Sequence, residues 1–422
     1  MPVSALPLPA PGAFGSRILD AAERLAGWSD APAGLSCTYL GPAHRAVARA
    51  LCAAMTQAGL AAEIDGVANV IGRYPCRNSK ARTLIVGSHY DTVHDAGRYD
   101  GRLGILTGLV VAEHLAKSGA ALPFHLEVIG FSEEEGVRFP LPYIGSAALA
   151  GRFDPHWLDR HDAAGVSLRA AMLGAGLDPA AIPRLARARD GLVGYLEVHI
   201  EQGPVLLDRD LPVGIVSSIA GAARFAVTVT GEAGHAGTVP MALRRDALAA
   251  AAEIVLLVER RCAAAPRLVG TVGRIEVPGA ASNVVPGRCE LTLDIRAAED
   301  TERDAAIADI TAGLREIERR RGVKLELREM SRTPAVACAP RLTKCLTLAI
   351  EAVGIKPTTL DSGAGHDAVM FDGLTEVAML FVRCGNGGIS HSPRETVSAA
   401  DADAGARVLL AAIFELASER GA

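Results

Sequence analysis

Aromatic side chains are scarce in this chain: two Trp, six Tyr and nine Phe make up 4% of its 422 residues. Its core must therefore be built mainly from Ala, Leu and Val, and with half of all residues hydrophobic there is enough apolar material to bury one. An excess of positive charge is also missing. Lys and Arg number 43 against 48 Asp and Glu, a formal net charge of −5. That balance excludes the basic face that nucleic acid or another polyanion requires. No window approaches the ~18 uninterrupted apolar residues of a membrane-spanning helix. The run 254–258 is short and flanked by Glu253 and by Glu259-Arg260-Arg261. Eight cysteines are scattered at 37, 52, 76, 262, 289, 338, 345 and 384 without a C-x-x-C pair. That pattern is expected of reduced thiols in a cytoplasmic protein. Residues 1–14 are rich in Pro and Ala and have neither the basic region nor the apolar stretch of a secretory leader.

The length suits two domains. Residues 16–27 and 42–58 have the spacing of amphipathic helices, and 61–74 alternates like a hairpin broken at Asp65-Gly66. A strand at 83–89, a helix at 104–118 and a strand at 124–131 follow, the order of a parallel α/β sheet. From about 217 the pattern changes to strand, helix, two strands, helix and strand, a β-α-β-β-α-β unit. After Pro340 the α/β pattern resumes. The expected fold is thus α/β. A larger domain, residues 1–216 and 334–422, has a central, mostly parallel sheet flanked by helices, and 217–333 form an inserted α+β ferredoxin-like domain.

Residues that carry chemistry in such sheets gather at the carboxyl ends of strands. The 83–89 strand ends in Gly87-Ser88-His89-Tyr90-Asp91-Thr92, where the two-residue spacing lets Asp91 hold one imidazole nitrogen while the other faces a metal. Asp100-Gly101 lies just beyond, placed to bridge two cations. The 124–131 strand ends in Ser132-Glu133-Glu134-Glu135-Gly136. An acidic triplet is ordinarily a solvated turn, but at the end of an apolar strand it is costly without a cation or a proton. Alternation in 195–203 puts Glu197, His199 and Glu201 on one face. Two Gly-rich loops carry His366 and His391. Taken together, His89, Asp100, Glu135, His199 and His391 suit two divalent cations, Zn, Mn, Co or Ni. The other histidines, at 44, 94, 114, 125, 156 and 161, are assigned to core or surface.

These motifs occur in an order that resembles the hydantoinase/carbamoylase group of metal-dependent amidohydrolases, relatives of aminoacylase and carboxypeptidase G. The resemblance runs from Arg17 to Leu416 and rests on GSHYDTV (87–93), YDG (99–101), EEEGVRFP (133–140) and EVHIEQGP (197–204). It continues through AGHAGTVPM (233–241), ASNVVP with DIRA (281–286, 294–297) and SGAGHDA with GISHSP (362–368, 388–393). It implies that His89 and His199 bind one metal, Glu135 and His391 the other, and that Asp100 bridges them. The triplet leaves two frames open; the resemblance places the ligand at Glu135, directly before Gly136, and the general base at Glu134. Asp91 completes the catalytic set by orienting its neighbours. The resemblance further implies that the smaller domain is both dimerisation domain and lid. In a homodimer His235 stabilises the oxyanion, and Arg296 and Asn283 hold a substrate carboxylate, all three from the neighbouring subunit. Gln202, Gly363 and His366 line the pocket. The expected substrate is a small ureido compound bearing a carboxylate. Asp95-Ala96-Gly97-Arg98, where many relatives have Asn-Gly-Gly, favours allantoate over an N-carbamoyl-L-amino acid or N-carbamoyl-β-alanine. A non-catalytic binding protein on the same fold is the distant alternative.

Overall fold

The computed structural model describes residues 6–419, so the first five residues of the N-terminal stretch read above lie outside the described residues. In chain order the strands are β1 (Ala61–Ile64), β2 (Val70–Tyr74), β3 (Thr83–His89), β4 (His125–Phe131), β5 (Leu192–Ile200) and β6 (Val213–Ile219). Then come β7 (Gly221–Thr230), β8 (Gly234–His235), β9 (Leu268–Glu276), β10 (Val284–Val285), β11 (Arg288–Ala297) and β12 (Lys324–Thr333). β13 (Val336–Ala337), β14 (Thr359–Ser362) and β15 (Val377–Val382) complete the set.

The chain divides into two compact units. Among the described residues the first comprises 6–217, 338–360 and 366–419; the second comprises 218–337 and 361–365. In the first, β4, β3, β5 and β15 lie side by side and parallel. Every residue of these strands is buried. That is why most of their residues are apolar on both faces, with His125, Glu127, Glu197 and His199 among the buried polar exceptions: a parallel strand is covered on both faces. The antiparallel pair β1–β2 extends one side through β4, and β6 lies antiparallel to β15 on the other. The helix Arg102–Ser118 packs across β3, β4 and β5 and ends at Gly119 in the left-handed conformation. The helix Ala399–Ser418 lies against it, its start capped by Ser398 accepting from the Asp401 N–H.

The second unit is a four-stranded antiparallel sheet in the order β12-β7-β11-β9. Here the burial of β11 alternates strictly, because only one face is covered. Phe225, Val227, Val229, Leu291, Leu293 and Ile295 meet Ile254, Val258, Ile310 and Leu314 from the two helices, Ala247–Ala263 and Asp300–Arg321. Asp246 caps the first of these by accepting from the Ala249 N–H at 3.0 Å. The other face of the sheet carries Arg224, Asp294 and Arg296.

The architecture is the α/β sheet with a ferredoxin-like insertion that the sequence order implies. Two boundaries differ from the expected ones. The second unit continues past 333 because Val336 and Ala337 pair with Ile219 and Ser218. It also takes in 361–365: Arg267 grips the Asp361 carboxylate at 2.6 and 2.8 Å, Arg296 Nη1 donates to the Gly363 carbonyl, and Ala220 donates to that of Ser362. These are ion pairs and backbone bonds between distant segments, which periodicity cannot register. Strand β6 was not anticipated either, since its polar Ser217-Ser218 interrupts a short apolar run.

Ile254 is fully buried in the second unit's core. Replacing it with Ala is expected to cost about 2–5 kcal/mol. Urea denaturation followed by tryptophan-independent far-UV dichroism should show the lowered midpoint.

Candidate functional site

β3 runs into a tight reversal that sets two residues toward one point. His89 Nδ1 lies 3.2 Å from Asp91 Oδ1, and His89 Nε2 lies 3.4 Å from Asp100 Oδ1. Asp100 can approach so closely because Gly101 follows it. A Cβ there would sit 2.5 Å from the His89 ring, and the backbone has a φ of 66°, which favours glycine. From the end of β5, His199 Nε2 reaches the same Asp100 oxygen at 3.2 Å, while its Nδ1 lies 2.9 Å from the Ile200 carbonyl. The other Asp100 oxygen, Oδ2, faces His391 Nε2 at 3.4 Å and accepts from Gln202 Nε2 at 2.7 Å and Ser390 Oγ at 2.6 Å.

The acidic triplet is held from below. Asp91 accepts the N–H of Glu134 through Oδ1 at 3.0 Å and that of Glu135 through Oδ2 at 3.1 Å. Both oxygens of one buried carboxylate are thereby spent on aiming the two residues of the β4 loop. Glu135 Oε1 lies 3.5 Å from His391 Nε2. Ligand atoms of His89, Asp100 and His199 lie within 4.8 Å of one another, as do those of Asp100, Glu135 and His391, and those of His89, Glu134 and Glu135. Glu197, His199 and His366 form a further such group. The rings of His199 and His366 are 4.5 Å apart, edge to face.

The electrostatics of this cluster are one-sided. Burial pushes Glu133, Glu134 and Asp367 well above the ordinary carboxylate range, reinforced by neighbouring carboxylates. Glu135 is pushed up to about 7 by burial and then by the charge of Asp100. Burial works against charging Asp100 too, yet its bonds to His199, His391 and His89 hold it well below its usual value. His391 is raised to about 9, mainly by its bond to Asp100. Burial opposes charge on His89, but Asp100 and Asp91 outweigh it and raise its pKa. Acids crowded out of water and imidazoles held by a shared carboxylate are the donor chemistry of divalent cations. The residues fit such ions.

Other expected residues fall in the second unit. His235 and Val284 pair across β8 and β10, and Ala236 donates to the Asn283 carbonyl, so His235 and Asn283 are neighbours. Arg296 is gripped by Asp294 through Nε at 2.8 Å and Nη2 at 2.9 Å and donates to Gly363. Gly363 is thereby held by Arg296. Arg98 pairs with Glu23 at 3.0 Å. Of the histidines set aside, His94 is exposed and His44 is buried, lowered to about 4 by burial, with Nε2 2.6 Å from the Ser132 carbonyl. Ser390, Glu395 and Glu197 also touch the cluster; sequence reading placed Glu197 on the His199 face without a role and gave none to Ser390 or Glu395. Their signal was only proximity to motif histidines: Glu395 is four residues past His391, and Glu197 two before His199.

Cation binding must displace protons from Glu135, at about 7, and His391, at about 9. Both are protonated below these values, so cation affinity of the chelated protein is expected to rise steadily between pH 6 and 9. Titration calorimetry in buffers of differing ionisation enthalpy should register the released protons. Affinity independent of pH would contradict this set of ligands.

The sequence pattern of Peptidase family M20/M25/M40 matches residues 85–415. An N-carbamoyl-L-amino acid amidohydrolase of Geobacillus stearothermophilus is 39% identical over 363 residues, covering 86% of this chain and 88% of that protein. An allantoate deiminase of Arabidopsis thaliana is 39% identical over 409 residues, covering 90% and 77%. A hydantoinase/carbamoylase family amidase from Burkholderia multivorans has a similar structure, with a TM-score of 0.89 at 32% identity, covering 96% of this chain and 98% of that one. With acids and imidazoles that could hold a metal gathered at the strand ends of this fold, the chain belongs to Peptidase family M20/M25/M40 and, within it, to the hydantoinase/carbamoylase amidases.

Proposed function

We propose that this protein is a metal-dependent amidohydrolase that cleaves the ureido C–N bond of a small carboxylate-bearing substrate, with allantoate as the first choice. The observation that carries the reading is the convergence of His89, Asp100, Glu135, His199 and His391 beside Glu134. His89 and His199 would hold one divalent cation, Glu135 and His391 a second, with Asp100 between them; Zn, Mn, Co and Ni all suit this donor set. Such a pair of ions polarises a carbonyl and makes water acidic.

The chain's own residues do the rest. Glu134 takes a proton from the attacking water and passes it to the leaving nitrogen. A carboxyl held above its ordinary range is suited to carrying that proton. The ureido C–N bond breaks, ammonia leaves, and the carbamate loses carbon dioxide. Asp91 keeps Glu134 and Glu135 aimed. Gln202, Gly363 and His366 line the pocket. Arg296, its guanidinium plane fixed by Asp294, and Asn283 receive the substrate carboxylate. His235 donates to the oxyanion. In this reading the second unit, 218–337 with 361–365, forms a dimerisation and lid domain that lends His235, Asn283 and Arg296 to a neighbouring subunit, and the first unit forms the catalytic domain. Eight scattered cysteines without a C-x-x-C pair accord with a cytoplasmic location. Among the described residues no helix is long and apolar enough to cross a membrane.

Allantoate and N-carbamoyl-L-amino acids remain the two substrate classes to separate. The bacterial carbamoyl relative and the plant allantoate relative are equally similar at 39%. Overall identity therefore does not discriminate, and the Asp95–Arg98 sequence is what favours allantoate. Ammonia release from allantoate and from a panel of N-carbamoyl-L-amino acids, on chelated enzyme reloaded with Mn, Co or Zn, decides between them. No hydrolysis of either class by ion-loaded protein would return the chain to a binding role.

Glu134→Gln is expected to lower turnover by roughly 10²–10⁴ and to leave ion content unchanged, as measured by elemental analysis beside the rate assay. Loss of an ion in that variant would shift the ligand frame to Glu134. The trans arrangement is tested by mixing subunits. His235→Ala and Glu134→Gln are each expected to be inactive, but co-refolded together they should regain about a quarter of wild-type activity, because random pairing makes half the dimers mixed, each with one intact site. No recovery would place His235 in its own subunit's site or outside catalysis.

A further inference from the structure

Glu395 is only 1% exposed and lies in no motif used so far. Each of its oxygens has a task. Oε1 accepts the backbone N–H of Tyr99 at 2.7 Å and of Asp100 at 3.2 Å. Oε2 lies 2.9 Å from Ser390 Oγ, which is itself 2.6 Å from Asp100 Oδ2. One side chain thereby ties the Tyr99-Asp100 turn to the loop that carries His391, and it does so on the Oδ2 side of Asp100, the side that His391 shares. The opposite turn is shaped to admit it: a Cβ on Gly97 would lie 2.2 Å from the Glu395 Cδ and 2.5 Å from its Cβ.

We propose that Glu395 is a positioning residue for the cation site formed by Asp100, Glu135 and His391, setting the distance between Asp100 and His391 without touching the ion. The proposal rests on the reading that these residues hold a cation. The Oδ1 side of Asp100 faces His89 and His199, which β3 and β5 carry. Groups that orient metal ligands from behind typically change affinity 10–100-fold when removed, and here the loss should fall on one ion of the pair.

The test is Mn²⁺ binding to the chelated full-length protein by calorimetry and elemental analysis, with His391→Ala as the reference for loss of this position. Glu395→Ala is expected to weaken one of two Mn²⁺ ions by about 10–100-fold and to leave the other, and the melting temperature of the chelated protein, as in wild type. Glu395→Gln keeps an acceptor for the Tyr99 and Asp100 N–H groups and a donor to Ser390, and should restore near-wild-type binding. Gly97→Ala, which forces Glu395 aside, should weaken the same ion. Unchanged affinity for both ions in Glu395→Ala overturns the proposal. So does a parallel loss of both ions together with a fall in the chelated protein's melting temperature, the mark of a purely structural role. If wild type takes up no Mn²⁺, the metal reading fails first, and this proposal with it.

Discussion

Carboxylates do not stay charged inside a protein without positive charge beside them, and this fold gathers Asp91, Asp100, Glu133, Glu134, Glu135, Glu197 and Asp367 where their charges act on one another. The imidazoles of His89, His199 and His391 around Asp100 are the positive charge that the chain itself supplies. They compensate the triplet and Asp367 only in part, which is why burial and mutual repulsion push those acids upward. The concentration of acids is a standing cost to stability. It makes chemical sense only where cations are bound, and the choice of β3, β4 and β5 as fully buried parallel strands follows from the need to deliver these side chains to one place.

The order of the strands explains why they converge. β4, β3, β5 and β15 run parallel, so their carboxyl ends open on one edge of the sheet, and His89, the triplet, His199 and the His391 loop each follow one of them. Residues far apart in sequence therefore meet without long excursions of the chain. The antiparallel second unit has no such edge. Its functional candidates come instead from the open sheet face, where Arg296 lies beside Asp294, and from the short β8–β10 pair that sets His235 next to Asn283.

Much of this was legible in the residues themselves. A buried strand ending in His-x-Asp, another ending in three acids, and an alternating Glu-x-His-x-Glu strand announce parallel strands with polar ends, because apolar runs and their terminal residues are local features. The change to a β-α-β-β-α-β pattern near 217 was equally local. What stayed hidden depends on contacts between distant segments. The return of 361–365 to the second unit hangs on Arg267 and Arg296, neither of which marks a boundary in the sequence. Asp294 read as one member of a DIRA motif, and only the fold shows it gripping Arg296. Asp95–Arg98 read as a substrate signal, yet Arg98 is engaged by Glu23 on the first helix.

The acids in this site divide into two layers with different tasks. Asp100 and Glu135 face the imidazoles. Behind them stand acids that accept backbone N–H groups. Asp91, at the end of β3, holds the β4 loop at Glu134 and Glu135. Glu197, on β5, accepts from Ala368 and from the hydroxyls of Tyr195 and Ser88, and so holds the loop of His366. Glu201 accepts from Val205 and Leu206 and fixes the turn that presents Gln202. Hydrogen bonds from a charged acceptor are worth about 1.5–3 kcal/mol each, enough to hold a loop in place before any cation arrives. Glu197 and Asp91 each reach into a loop that belongs to a different strand, so the loops are fastened to one another rather than only to their own ends. A site built this way meets its ions with the ligands already arranged, and affinity is not spent on ordering them. The same acids that make the chain costly to fold without cations are thus the ones that keep its loops in register.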